Sequence, residues 1–187
     1  MMRDAAQKNR ELRNANETIQ RLASTDALTG LANRRSLYEA LEREVARAAR
    51  MGEHSSVIMA DLDHFKSIND DYGHTIGDLV LASAASVFSR QSRPYDLAAR
   101  YGGEEFFLLV PGTSTENAIG IAQRIRTEIA EIKVPGCPRQ ITVSLGVATW
   151  MPSEASEHLI SRADQALYRA KNDGRNRVEA APDKRHK

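Results

Sequence analysis

Three short stretches of this 187-residue chain gather the residue types that can do chemistry. The first is Arg100-Tyr101-Gly102-Gly103-Glu104-Glu105-Phe106, where two glycines and two carboxylates separate the apolar runs LAA and FFLLV. Gly-Gly suits a tight turn, with positive φ open to both residues and no side chain to keep a bulky ligand away. Glu104 and Glu105 are adjacent, so in an extended segment they face opposite ways and at most one shares a pocket with a given neighbour. Alone, the segment reads equally as a solvated hairpin tip.

The second stretch, VIMADLD, is an apolar run that ends in Asp61 and Asp63, which strand alternation places on one face around Leu62. Carboxylates at a strand end beside a carboxylate-bearing hairpin make a hard oxygen set for a divalent cation in phosphoryl transfer. Mg²⁺ is the natural occupant, because it takes one or two protein carboxylates and leaves its other positions to water and phosphate oxygens. Helix capping is the structural alternative for the two aspartates. In the third stretch, HFKSINDDYGHTIGD, Lys66 is placed to meet a β- or γ-phosphate, or is simply a surface lysine. Asn69, His74 and Asp78 can read a base edge or a ribose. An Asp that accepts from a ring N1–H and an exocyclic amine selects guanine, since adenine offers an acceptor at that ring position. Asp78 also opens a helix on this reading, which makes N-capping its plainest role.

The elements that position these groups follow from hydrophobic periodicity. Residues 1–24 lack Gly and Pro, and Ala5, Leu12, Ala15, Ile19 and Leu22 fall on a heptad seam with Lys8 as the exception. This predicts a helical stalk, either a coiled-coil dimerisation segment or a helix packed on its own domain. Ser36 and Glu39 form a capping box, and the helix behind them buries Leu37, Leu41, Val45 and Ala48. A strand over Val57 to Ala60 leads to the acidic segment. A helix from about Gly77 to Ser92 turns Val80, Ala84, Val87 and Phe88 inward, and the Gly-Gly hairpin follows. The next helix buries Ile121, Ile125, Ile129 and Ile132 and leads to the strand ITVSLGVATW. A last helix with Leu159, Ala163, Leu167 and Ala170 inward ends at Gly174 as its C-cap, and NRVEA supplies a final short strand. The domain is expected over 25–180, with a disordered tail over 181–187. Strands joined by Gly-Gly cannot belong to a βαβ crossover, so the fold class is α+β: a mostly antiparallel sheet with helices packed against it.

With 26 Lys and Arg against 25 Asp and Glu, the net charge of +1 gives no basic surface for a nucleic acid polymer, so any phosphate chemistry is local. The lone Cys137 cannot form an internal disulfide or a cysteine metal site, which suits a reducing, cytoplasmic compartment. No apolar run approaches the roughly 20 residues that span a bilayer, so membrane contact is not expected.

Taken in order, these segments resemble the diguanylate cyclases with a GGDEF domain. DALTGLANRR is similar to that family's opening signature, DLDHFKSINDDYGHTIGD to its metal- and guanine-binding segment, RYGGEEF to its GG(D/E)EF hairpin and ADQALYRAKNDGRN to its closing helix. The resemblance runs from Asp26 to about Arg177. It implies a palm-like fold related to nucleotidyl cyclases and polymerases, and the condensation of two GTP molecules into cyclic di-GMP with release of two pyrophosphates. Carried across, Asp61, Glu104 and the carbonyl of Leu62 would hold two Mg²⁺ ions, with Mn²⁺ able to substitute. Asn69 and Asp78 would bond guanine, and His74 would lie on the nucleotide side. Lys66, Lys171 and Arg175 would neutralise the triphosphate, Gly102 and Gly103 would admit the nucleotide, and Glu104 would activate the attacking 3′-hydroxyl. Each domain would bind one GTP, so catalysis would belong to a homodimer of half-sites set by the stalk, itself the output end of an upstream sensor or receiver domain. Arg93-Pro94-Tyr95-Asp96, with five residues between Asp96 and Gly102, is similar to the family's product-inhibition site, with Arg124 as an auxiliary contact. Two competing readings are a cyclic di-GMP receptor without turnover, against which Asp61 and Glu104 are both intact, and a cyclase for adenine nucleotides, against which Asn69 and Asp78 stand.

Overall fold

The computed structural model describes residues 24–182. All of the expected stalk but Ser24, and the tail from residue 183, lie outside the described residues. Ala181, placed in the tail by the sequence reading, is buried and donates its N–H to Val147 O at 2.7 Å.

The elements in chain order are α1 (Arg34–Met51), β1 (Ser55–Leu62), α2 (Phe65–Tyr72), α3 (His74–Gln91), β2 (Leu97–Arg100), β3 (Glu105–Pro111), α4 (Thr115–Ala130), β4 (Val143–Thr149), α5 (Ser156–Asn172) and β5 (Val178–Ala180). The sheet order is β2-β3-β1-β4-β5. β1 pairs antiparallel with both β3 and β4, β2 pairs antiparallel with β3, and only β5 runs parallel to its neighbour. The expected α+β architecture is therefore what forms. β1 is the central strand and is buried along its whole length, which explains why its sequence is a continuous apolar run rather than an alternating one.

The two sheet faces carry separate cores. Ile58, Ala60, Leu62, Phe106, Leu108 and Val110 pack with α2, α3 and α4, while Val57, Met59, Phe107 and Leu109 pack with α1 and α5. Phe88 of α3 stacks on Phe106 of β3 with ring centroids 4.9 Å apart. α5 approaches β4 most closely at Gly146. A Cβ there would collide with the backbone of Ala163 and Leu167, lying 2.9 Å from Leu167 Cα.

Several helix boundaries differ from the sequence reading. α1 is capped by Asn33, whose side chain accepts from Ser36 N at 3.0 Å, so Ser36 is the recipient of a cap and not its donor. Glu39, the other half of the expected capping box, is paired with Arg35 instead. Asn33 is an equally good N-cap residue, and its extended backbone makes it the turning point. α2 was not anticipated, because a helix this short carries only Phe65 and Ile68 as its buried face. Gly73, at φ 84, divides α2 from α3, so α3 begins at His74 and Asp78 lies one turn inside it, where it caps nothing. At the other end of the chain, Asp173 caps α5 and Gly174 follows at φ 114. No helix among the described residues is long and apolar enough to cross a membrane.

Candidate active site

β1 delivers Asp61 near the C-terminal end of the central strand, in register with Glu105 of β3 and Ser144 of β4. The β1–β3 ladder continues one step past the regular strand, with Leu62 N donating to Glu104 O at 3.2 Å. That bond seats the hairpin carboxylate Glu104 beside the strand end. From the opposite side the last turn of α5 brings Lys171, whose Nζ lies 2.8 Å from Asp61 Oδ2. Burial pushes the Asp61 carboxyl upward, and the Asp63 charge adds to this while Lys171 and Arg175 oppose it. Burial also raises Glu104, followed by the negative charge of Asp61, again with Lys171 acting the other way. The two carboxylates therefore crowd each other, and one ammonium relieves both.

Among the described residues no group of three or more His, Cys, Asp or Glu side chains is placed to hold a metal ion by itself. Two crowded carboxylates form an all-oxygen donor set. This fits a hard divalent ion whose remaining positions belong to phosphate and water, and it does not fit a thiolate- or imidazole-bound metal.

Asp63 stands apart from this pair. Its carboxylate accepts from Ser144 Oγ at 2.7 Å, Thr142 Oγ1 at 2.8 Å and the Asn176 N–H at 3.0 Å, and the residue is 5% exposed. Arg175 and Asn176 both have left-handed backbones, at φ 62 and 46, which are costly for residues with a Cβ. Asp63 thus clamps the strained turn that carries Arg175 past the end of α5. Strand alternation pairs Asp61 with Asp63, but the Thr142 hydroxyl just before β4, the Ser144 hydroxyl on β4 and the Asn176 N–H consume the second carboxylate.

The hairpin is built differently from a Gly-Gly turn with positive φ. Neither Gly102 nor Gly103 is among the positive-φ residues. A Cβ on Gly102 would meet Glu105 Oε2, the end of a side chain that can swing aside, whereas Gly103 faces open space. Arg100 fixes the turn by donating Nη2 to Gly103 O at 2.8 Å and Nε to the carbonyls of Gly102 and Gly103 at 3.2 Å each. Its Nη1 reaches both oxygens of Asp26 at 3.2 Å. Burial raises the Asp26 carboxyl, but bonds from Thr29 and Arg100 outweigh it and hold the group below the usual range. Tyr101 Oη lies 2.8 Å from Tyr38 Oη, and Arg34 stacks over the Tyr101 ring at 4.6 Å. Burial and the Tyr38 hydroxyl push Tyr101 up to about 12. None of these supports was singled out from sequence. The D-x-x-T spacing of Asp26 and Thr29, an Asx-type turn, was the available signal for the first.

The remaining expected residues fall into two neighbourhoods. Asn69 lies against Gly77, where any Cβ would strike its side-chain oxygen, and this brings Asn69 of α2 next to the residue preceding Asp78 of α3. Lys66, His74 and Asp78 are exposed, and among the described residues none of them makes a side-chain hydrogen bond or ion pair. Beyond the other end of α3, Arg93 N donates to Asp96 Oδ2 at 2.8 Å, closing the turn into β2. Among the described residues no ion pair joins the exposed Arg93 guanidinium to Asp96. Burial raises the Asp96 carboxyl above its ordinary value. A cavity of about 430 Å³ is lined by Gly30, Ser89, Arg93 and Asp96, and Arg124 donates to Gln91 Oε1 at 3.1 Å beside it.

The profile described as "Diguanylate cyclase, GGDEF domain" matches residues 23–177. This chain belongs to the GGDEF domain family. As a GGDEF domain it is 44% identical over 171 residues to the diguanylate cyclase DgcM of Escherichia coli K12, covering 91% of this chain and 42% of that protein. It is 48% identical over 161 residues to the diguanylate cyclase DgcP of Pseudomonas aeruginosa PAO1, covering 85% of this chain and 24% of that one. The chain thus spans less than half the length of these curated relatives. Among solved structures, the coiled coil and GGDEF domain of DgcB from Caulobacter crescentus in complex with c-di-GMP superposes with a TM-score of 0.91 at 38% identity, covering 96% of this chain and 97% of that one.

Proposed function

We propose that this GGDEF domain condenses two GTP molecules into cyclic di-GMP and two pyrophosphates. The observation that carries the proposal is the crowding of Asp61 and Glu104 at the end of β1, with Lys171 between them as counter-ion. Asp61, Glu104 and the Leu62 carbonyl would hold two Mg²⁺ ions, or Mn²⁺ in their place. When bound, such ions supply positive charge to the triphosphate and make the 3′-hydroxyl more acidic. Lys66, Lys171 and Arg175 neutralise the phosphates, and the left-handed turn held by Asp63 keeps Arg175 at the site. Asn69 and Asp78 orient the guanine across Gly77, with His74 on the same side, and the open space over Gly103 admits the nucleotide. Glu104 takes the proton as the 3′-hydroxyl of one GTP attacks the α-phosphorus of the other.

One domain holds one GTP, so the cyclic product forms between two domains facing each other in a homodimer. The stalk over 1–24 would set their spacing and transmit the state of an upstream sensor or receiver domain. Arg93, Asp96 and Arg124 would bind the product and hold the dimer unproductive; the DgcB complex with c-di-GMP supports product binding by a domain of this kind. The whole assembly would work in the cytoplasm, away from membrane and nucleic acid polymers. Incubating concentrated, nucleotide-stripped protein with GTP and Mg²⁺ and weighing the products tests the reading. Cyclic di-GMP from GTP but not ATP is the expected result, and cyclic products from ATP at an equal rate would refute the guanine assignment.

A further inference from the structure

We infer that Lys171 is a built-in stand-in for the active-site cation: its ammonium occupies Asp61 in the nucleotide-free chain and must leave before a divalent ion can bind. The inference rests on the cation and triphosphate assignments above. Nζ sits 2.8 Å from Asp61 Oδ2, and among the described residues Lys171 is the only side chain that bonds or pairs with this carboxylate. Ser144, the cross-strand neighbour with a hydroxyl in reach of β1, gives its proton to Asp63 instead. Asp61 is therefore left with one partner, and that partner is a cation.

The geometry favours a partner that can depart. The Asp61 side chain is 12% exposed while that of Lys171 is 32% exposed, so the ammonium reaches in from the solvent side on a flexible four-carbon stem. Lys171 lies in the last turn of α5, where the helix field favours a positive charge whichever way the stem points. A coordinated Mg²⁺ would lie about 2.0–2.1 Å from a carboxylate oxygen. An ammonium on that same carboxylate would repel it. The triphosphate offers the displaced ammonium a new anion, so nucleotide and metal each ease the other's binding, as linkage requires. Free divalent cation alone would bind weakly and leave the site closed by its own lysine.

The test is Mn²⁺ binding to the nucleotide-free full chain, followed by electron paramagnetic resonance, in wild type, K171M, K171Q and R175M. Arg175 contributes to the field at Asp61 without bonding it, so R175M measures the long-range part alone. K171M and K171Q should tighten Mn²⁺ by about tenfold or more, and R175M by less than about threefold. Binding of a non-hydrolysable fluorescent GTP analogue with Mg²⁺ should weaken in both Lys171 variants. Equal Mn²⁺ affinity in wild type and K171M, or equal tightening by R175M, would overturn the inference while leaving the cyclase reading standing. Failure of all four proteins to bind both Mn²⁺ and the analogue would overturn the site assignment and this inference with it.

Discussion

Asp63 separates a positioning role from a metal-binding one. It is buried a single residue from Leu62, with acceptor bonds from two hydroxyls and the Asn176 N–H. Removing the carboxylate in D63A orphans a buried N–H at about 1–3 kcal/mol and leaves two hydroxyls to find other partners at about 0.5–1 kcal/mol each, for a loss of about 2–5 kcal/mol. In D63N the amide oxygen can take the Oδ2 position and keep both Thr142 and Asn176, while its NH₂ donates to a rotated Ser144 hydroxyl. Only charge assistance is lost, about 1 kcal/mol. Denaturant unfolding measures both stabilities, and titration with a non-hydrolysable GTP analogue measures the left-handed turn's hold on the triphosphate. D63N should remain near wild type in both, and D63A should weaken the analogue because Arg175 is released with its turn. If D63N abolished turnover as completely as D61N while remaining folded and able to bind the analogue, Asp63 would be a cation ligand and the clamp account would be wrong.

Other outcomes follow from the same geometry. Gly146→Ala forces α5 off β4 against backbone that cannot yield, and should cost about 1–3 kcal/mol or more in denaturant unfolding. D26N should destabilise the chain at neutral pH. The folded Asp26 carboxyl is held below its ordinary value, so its stabilisation is present above the ordinary carboxylate range and lost as pH falls through the folded pKa; wild type and D26N should converge in acid melts. Arg93→Ala should abolish inhibition by added cyclic di-GMP and leave GTP turnover intact, as measured by initial rates with and without product.

Much of the site was legible because its chemistry needs rare residue types at element ends. The apolar run into Asp61, the Gly-Gly-Glu turn and the Asn69–Asp78 segment each announce themselves by charge or glycine where a core should be. What stayed hidden depends on distant partners. Nothing local to Asp63 says that Thr142, Ser144 and Asn176 will claim it, and nothing local to Arg100 says that it will bridge the hairpin carbonyls to Asp26. Helix starts failed where two good caps competed, at Asn33 and Ser36, and where a short helix hid in a polar segment, at α2. The hairpin glycines show the limit of composition: Gly102 lies against the Glu105 carboxylate, and positive φ plays no part.

The central claim is that Asp61 and Glu104 together make a GTP-condensing site. It is tested most directly by following labelled GTP with Mg²⁺ in the full chain and in E104Q, both at high protein concentration and with cyclic di-GMP binding measured alongside. The account predicts cyclic di-GMP from wild type, none from E104Q, and equal product binding by both. Full turnover by E104Q would contradict it.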